Sequence, residues 1–185
     1  SSHCENYYFS PMKHSEYLIA GHYAHKYMDL VEQSDLLEAF KISIKNLQAL
    51  PMDDYESINQ VAYFPGKWTT NELLQHIIDT ERIMAYRALT FARKDLIDLP
   101  GFNEDAYVLQ SHANERSISE LIEELVSIRI SSYFLFKSFV KGDLNIVGRA
   151  SGLDFSVKSF GFIIIGHAKH HFNIIKERYL PLSHS

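Results

Sequence analysis

Trp68-Thr69-Thr70-Asn71-Glu72-Leu73-Leu74-Gln75-His76-Ile77 is the best-marked helix start in the chain. Thr69 and Glu72 make a capping box, in which each side chain takes up a backbone N–H that the first turn leaves without an intrahelical partner. Trp68 before the cap and Leu73 at the fourth helical position make the matching hydrophobic staple, so the entry angle is doubly specified. The spacing predicts a helix to about Lys94. On a wheel of roughly 100° per residue, Ile77, Thr80, Met84 and Phe91 lie within about 40° of Leu73 and define a buried stripe. His76 stands at the edge of that stripe, beside Thr80, Ile83 and Arg87, and is therefore aimed inward or obliquely inward.

Outward from this helix, three more are marked. Ser34 or Asp35 caps one whose apolar positions Leu36, Leu37, Phe40, Ile44, Leu47 and Leu50 recur at three- and four-residue steps, and Pro51 ends it. Ser117 and Glu120 form a second capping box, followed by Leu121, Leu125, Ile128, Ser132, Leu135 and Phe139. Ser156 caps the last helix, which ends before Pro181. Met52 to Lys67 and Asp95 to Arg116 read as loops, and loops this long either carry function or cross a bundle. Leu144 to Phe155, with Gly148 and Ser151-Gly152, is compatible with a short hairpin. The expected fold is all-α, a four-helix bundle with at least one crossover and a short hairpin between the third and fourth helices.

The last helix contains Gly166-His167-Ala168-Lys169-His170-His171-Phe172. His167 and His171, four apart, lie one above the other on the face shared with Phe160, Ile163, Ile164, Ile174 and Ile175. Imidazoles buried among isoleucines need partners for their nitrogens, and a metal supplies one. With His76 as a third candidate from another helix, three neutral imidazoles would leave a divalent cation an open position, the arrangement of catalytic zinc sites. An open cation lowers the pKa of water or holds a thiol as thiolate. Few carboxylates share the inward faces, which argues against a di-iron bundle. Arg87, three turns beyond His76 on nearly the same face, is a candidate binder of an anionic substrate; the alternative is a structural ion pair with a carboxylate. Gly161 and Gly166 read as sites of close helix packing, or as room for a ligand. His22 and His25, at spacing three, stand among polar and small residues and read as exposed or capping rather than as a rival metal pair.

The 185 residues, 46% hydrophobic and 22% charged, suit one domain over residues 12–185. Residues 1–11 lack periodicity, and Glu5-Asn6-Tyr7-Tyr8-Phe9-Ser10 reads as an expression-linker remnant or a disordered tail. A net charge of −5 without a basic aromatic-rich run gives no nucleic-acid partner, and no apolar run is long enough for a membrane. The lone Cys4 suggests a reducing, cytoplasmic setting. Apolar residues beyond the main stripes, Phe134 and Phe136 flanking Leu135, suggest a homodimer.

Pro65-Gly66-Lys67-Trp68, Glu72 to Arg82, Tyr86-Arg87-Ala88-Leu89, Leu99-Pro100-Gly101-Phe102-Asn103-Glu104-Asp105 and Gly166 to His171 together resemble the DinB-like superfamily, close to its YfiT-like branch, over most of residues 30–180. The resemblance implies a bundle of up-down-down-up order and a metal triad of His76, His167 and His171, with zinc or nickel as the cofactor. It leaves His170 beside the site or exposed. Some members are thiol S-transferases or isomerases that use bacillithiol or mycothiol, and others are described as hydrolases. The expected function is thus a metal-dependent enzyme of the thiol S-transferase type, with a low-molecular-weight thiol as partner. The alternative is a non-catalytic, damage-inducible metal-binding scaffold.

Overall fold

The computed structural model describes Leu18 and residues 22–183; residues 1–11, with Cys4, lie outside them. Each of the four long helices begins at a side-chain cap. Asp35 accepts the Glu38 N–H at the start of α2 (Leu36–Gln48), and Thr69 and Glu72 close their capping box at the start of α4 (Thr70–Ala92). Ser117 and Glu120 do the same for α6 (Ile118–Ser138), and Ser156 accepts the Ser159 N–H for α8 (Val157–Ile174). The loops are less bare than the sequence suggests. A turn of helix, α1 (His25–Met28), precedes α2, while α3 (Met52–Glu56) and α5 (Glu104–Gln110) sit within the two long connections, α5 capped by Asn103. After α6, one turn of α7 (Lys141–Leu144) leads to a hairpin of β1 (Val147–Ala150) and β2 (Leu153–Ser156). Ser151 and Gly152 both have positive φ, 52° and 76°, as a two-residue hairpin turn requires.

Side-chain pairs fix the direction of each long helix. Phe40 meets Phe136 and Ser43 meets Arg129, so α2 and α6 are antiparallel. Asn71 reaches Arg116 and Glu81 reaches Arg129, so α4 and α6 run the same way, whereas His76 meets His167 and Phe91 meets Phe160, so α4 and α8 are antiparallel. In chain order the directions are up, down, down, up. The parallel α4–α6 pair is bridged by the crossover that carries α5. No helix of the described residues is long and apolar enough to cross a membrane.

The core has two apolar parts. One, around Phe40, Phe91, Phe136, Phe155 and Phe160, fills the hairpin end; the other, around Leu74, Ile77, Ile118, Leu125 and Ile175, fills the opposite end. Between them buried polar side chains form a belt: His76, Thr80 and Glu81 from α4, Arg129 and Ser132 from α6, and His167 from α8. Phe136 is buried at 2% exposure, so only Phe134 of the pair invoked for a dimer faces solvent. The glycines in α8 serve close packing. A Cβ on Gly161 would meet Leu36 at 2.7 Å, and one on Gly166 would collide with the carbonyl of Tyr27, so the segment carrying α1 lies directly on α8. His22 is buried rather than exposed, its Nδ1 accepting the Ala24 N–H and its ring against Phe155, while His25 is half-buried.

Candidate metal centre

The start of α4 is held from several sides. Thr69 Oγ1 donates to Asn114 Oδ1 at 2.6 Å, and Asn114 Nδ2 donates to Glu72 at 3.2 Å. Asn71 Oδ1 accepts the Gln60 N–H at 2.7 Å, and Asn71 Nδ2 donates to Asn59 Oδ1 and Arg116 O, each at 2.8 Å. The Tyr179 hydroxyl donates to the Trp68 carbonyl at 2.8 Å, and the Trp68 ring lies on His76 with centroids 4.9 Å apart. His76 therefore projects from a helix turn with little freedom. From α8, antiparallel and in close contact, His167 and His171 meet it.

The three Nε2 atoms converge. His167 Nε2 is 3.0 Å from His76 Nε2 and 3.1 Å from His171 Nε2, and the three residues form a group of side chains that could hold a metal ion. A ring nitrogen carries either a hydrogen or a lone pair, never both, so His167 Nε2 cannot donate to one neighbour and accept from the other. Its one hydrogen or one lone pair must therefore serve two neighbours, in a place where His76 and His167 are 3% and 6% exposed. A cation that accepts three lone pairs removes that competition. Burial keeps the rings neutral as ligation needs: it holds His76 down to about 4 against an opposing pull from Asp105, and together with the neighbouring imidazoles it brings His171 to about 3 and His167 well below its ordinary value. The His171 Nδ1 is buried without a hydrogen-bond partner. Among the described residues no cysteine or carboxylate belongs to the group, so its donor set leaves room for a further ligand.

His171 also lines a cleft of ≈ 300 Å³ with Tyr63, Lys67, Trp68, Asp105 and Arg178. The triad thus has an open side. His170 stays outside the cluster, half-buried against Tyr27 with centroids 5.3 Å apart.

Arg87 is not brought to this cleft. Eleven residues beyond His76, about 16 Å along the helix, it is buried at 2% exposure and donates to Pro100 O at 2.9 Å and Ser151 Oγ at 3.0 Å. It pins the α4–α5 loop to the hairpin turn. Among the described residues it pairs with no carboxylate, so its partners are neutral acceptors rather than the expected ion pair. Tyr63, Asp105, Arg178 and Tyr179 were not legible as cleft residues. Asp105 and Lys67 stand in motifs that carry the family resemblance, but Arg178 and Tyr179 reach the cleft because α8 continues beyond Ile174 as a π-helical turn, Ile175–Tyr179. Helical periodicity does not foresee that change of pitch.

Comparison with known proteins agrees with the fold. No curated protein matches. Among solved structures, YfiT from Bacillus subtilis, described as a probable metal-dependent hydrolase with an unusual four-helix bundle topology, superposes with a TM-score of 0.59 at 14% identity, covering 86% of this chain and 87% of that one. At that identity the likeness is one of fold. The model of the DinB superfamily matches residues 36–175, which contain all four long helices and the three histidines, and the chain belongs to that superfamily.

Proposed function

We propose that the protein is a metal-dependent enzyme in which His76, His167 and His171 hold one divalent cation, zinc or nickel, and the adjoining cleft admits a small-molecule substrate. The observation that carries this reading is the convergence of three Nε2 atoms, those of buried His76 and His167 and of half-buried His171, beside an open cleft. A scaffold would have its side chains sealed over the histidines, whereas here one flank of His171 is cleft wall. When bound, the cation supplies Lewis acidity, which makes a nucleophile of a thiol or water at neutral pH. The chain's own residues do the rest. Burial keeps the three imidazoles neutral, the Trp68 ring and the Tyr179 hydroxyl bond fix the wall beside His76, and the rings of Tyr63 and Trp68 limit the water that reaches a reactant.

Of the two nucleophiles, a low-molecular-weight thiol is the reading we favour, and it makes the protein an S-transferase. The thiolate sulfur attacks an electrophilic carbon, a carbon–sulfur bond forms, the leaving group departs with its electron pair, and the thiol proton goes to solvent. The test is a screen of bacillithiol, mycothiol and glutathione with 1-chloro-2,4-dinitrobenzene, next to hydrolysis of a p-nitrophenyl ester. Metal-loaded protein should exceed both free metal and His167→Ala by at least about a hundredfold in thiol transfer. Rates no faster than free metal in both assays would favour the scaffold, and ester hydrolysis alone would favour water.

A further inference from the structure

We propose that the cleft beside His171 selects substrates bearing an anionic group, held by Lys67 and Arg178, with the apolar remainder against Tyr63, Trp68 and Tyr179. The proposal rests on the functional reading above and names its substrate class. The chain carries a net charge of −5, yet the cleft is lined by two cationic side chains against one carboxylate, Asp105, a local balance of +1 before any metal is present. Neither cation is spent within the protein. Among the described residues Lys67 and Arg178 make no ion pair, whereas Arg82, Arg116, Arg129 and Arg149 each do.

Arg178 is nonetheless held in place. Its guanidinium lies over the Tyr63 ring at 5.3 Å and donates one N–H to the Tyr63 hydroxyl at 3.1 Å. A guanidinium has five N–H groups in a planar fork, so an edge remains for a carboxylate or phosphate oxygen pair. Tyr63 packs edge-on against Tyr179 at 5.1 Å, and Tyr179 is tied to the Trp68 carbonyl, so cation and aromatic wall form one connected unit. The π-helical turn that follows the triad helix places Arg178 and Tyr179 there, and such turns recur at functional sites. Lys67, in the loop just before Trp68, adds a second, exposed charge. This assigns to Lys67 and Arg178 the role that the sequence suggested for Arg87, which is engaged elsewhere.

Trp68 is the single tryptophan and lines the cleft, so its fluorescence reports occupancy. The probes are benzoate and its neutral isostere benzamide, titrated into protein stripped of metal by a chelator and into zinc-loaded protein. Stripped wild-type protein should bind benzoate about tenfold more tightly than benzamide, the yield of a charge-assisted contact. The Lys67→Met/Arg178→Met double variant should lose the preference while keeping benzamide affinity, and Arg178→Lys should retain part of it. Both residues are exposed, so neither change threatens the core. No saturable benzoate signal, equal affinity for the two probes, or a preference that survives in the double variant would overturn the proposal. So would a preference seen only with zinc, because the metal alone would then hold the anion. Absence of catalysis with benzoate selectivity intact would instead count against the functional reading.

Discussion

Two polar clusters share the belt between the apolar ends of the bundle, and they are built oppositely. Glu81 and Arg129, each 1% exposed, form a closed pair: Arg129 Nε donates to both Glu81 oxygens at 3.0 Å, Nη2 donates to Oε2 at 2.9 Å, Ser132 Oγ donates to Oε1 at 2.8 Å, and Nη1 donates to Ser43. Each nitrogen and oxygen of that pair has a partner in the chain. The histidine triad, in the same belt, has three nitrogens facing one another, and His167 Nε2 has a single hydrogen or a single lone pair for two neighbours. One cluster completes itself, and the other calls for something from outside. That difference separates structural polarity from functional polarity better than burial does, because Glu81, Arg129, His76 and His167 are all buried.

The largest expected effect breaks the closed cluster. Arg129→Met leaves Glu81 buried and unpaired, and should cost about 3–5 kcal/mol in urea denaturation, whereas Glu81→Leu/Arg129→Met should recover most of that loss. A single-variant loss below about 1 kcal/mol would mean that the pair is not closed as described.

The same contrast explains what the sequence could and could not tell. Thr69, Ser117 and Ser156 were legible as caps because capping is a matter of three or four adjacent residues, and Asp35 was one of two candidates for the remaining cap. His76, His167 and His171 were legible because each stands on or beside an apolar stripe. Arg129 was not, because a charged residue counts as polar in a periodicity even when a carboxylate on another helix draws it inward. The third helix therefore turned slightly from expectation, with Arg129 and Phe136 inward and Ile128 and Leu135 half-buried. Nor could the chain order alone bring the Tyr27 carbonyl onto Gly166, a contact between segments far apart in sequence.

A second measurement sharpens the contrast from the open side. In metal-free protein His167→Ala should cost less than Arg129→Met, since it leaves no buried charge unpaired and removes a nitrogen whose one hydrogen or lone pair is shared between two contacts. Zinc at about a hundredfold excess over its dissociation constant should stabilise the wild-type protein by about 2.7 kcal/mol and the variant not at all. Thermal melts with and without chelator read this directly.

The smallest effect, per unit of pH and per residue, is a pH dependence. His76 and His171 fall from the ordinary 6.5 to about 4 and about 3 in the folded protein, chiefly through burial. Between pH 6.5 and 4 the unfolded chain binds protons that the folded chain refuses, so metal-free protein should lose stability as pH falls through that window. The loss is about 1 kcal/mol per histidine between pH 6.5 and 5.5. Urea midpoints that rise on acidification would contradict the burial of neutral rings.

The most direct test of the open cluster is calorimetric titration of zinc into chelator-stripped protein at pH 7.5. The triad predicts one site per chain, lost in His76→Ala, His167→Ala and His171→Ala and kept in Arg87→Met. Equal zinc binding by wild-type protein and all three histidine variants would contradict it.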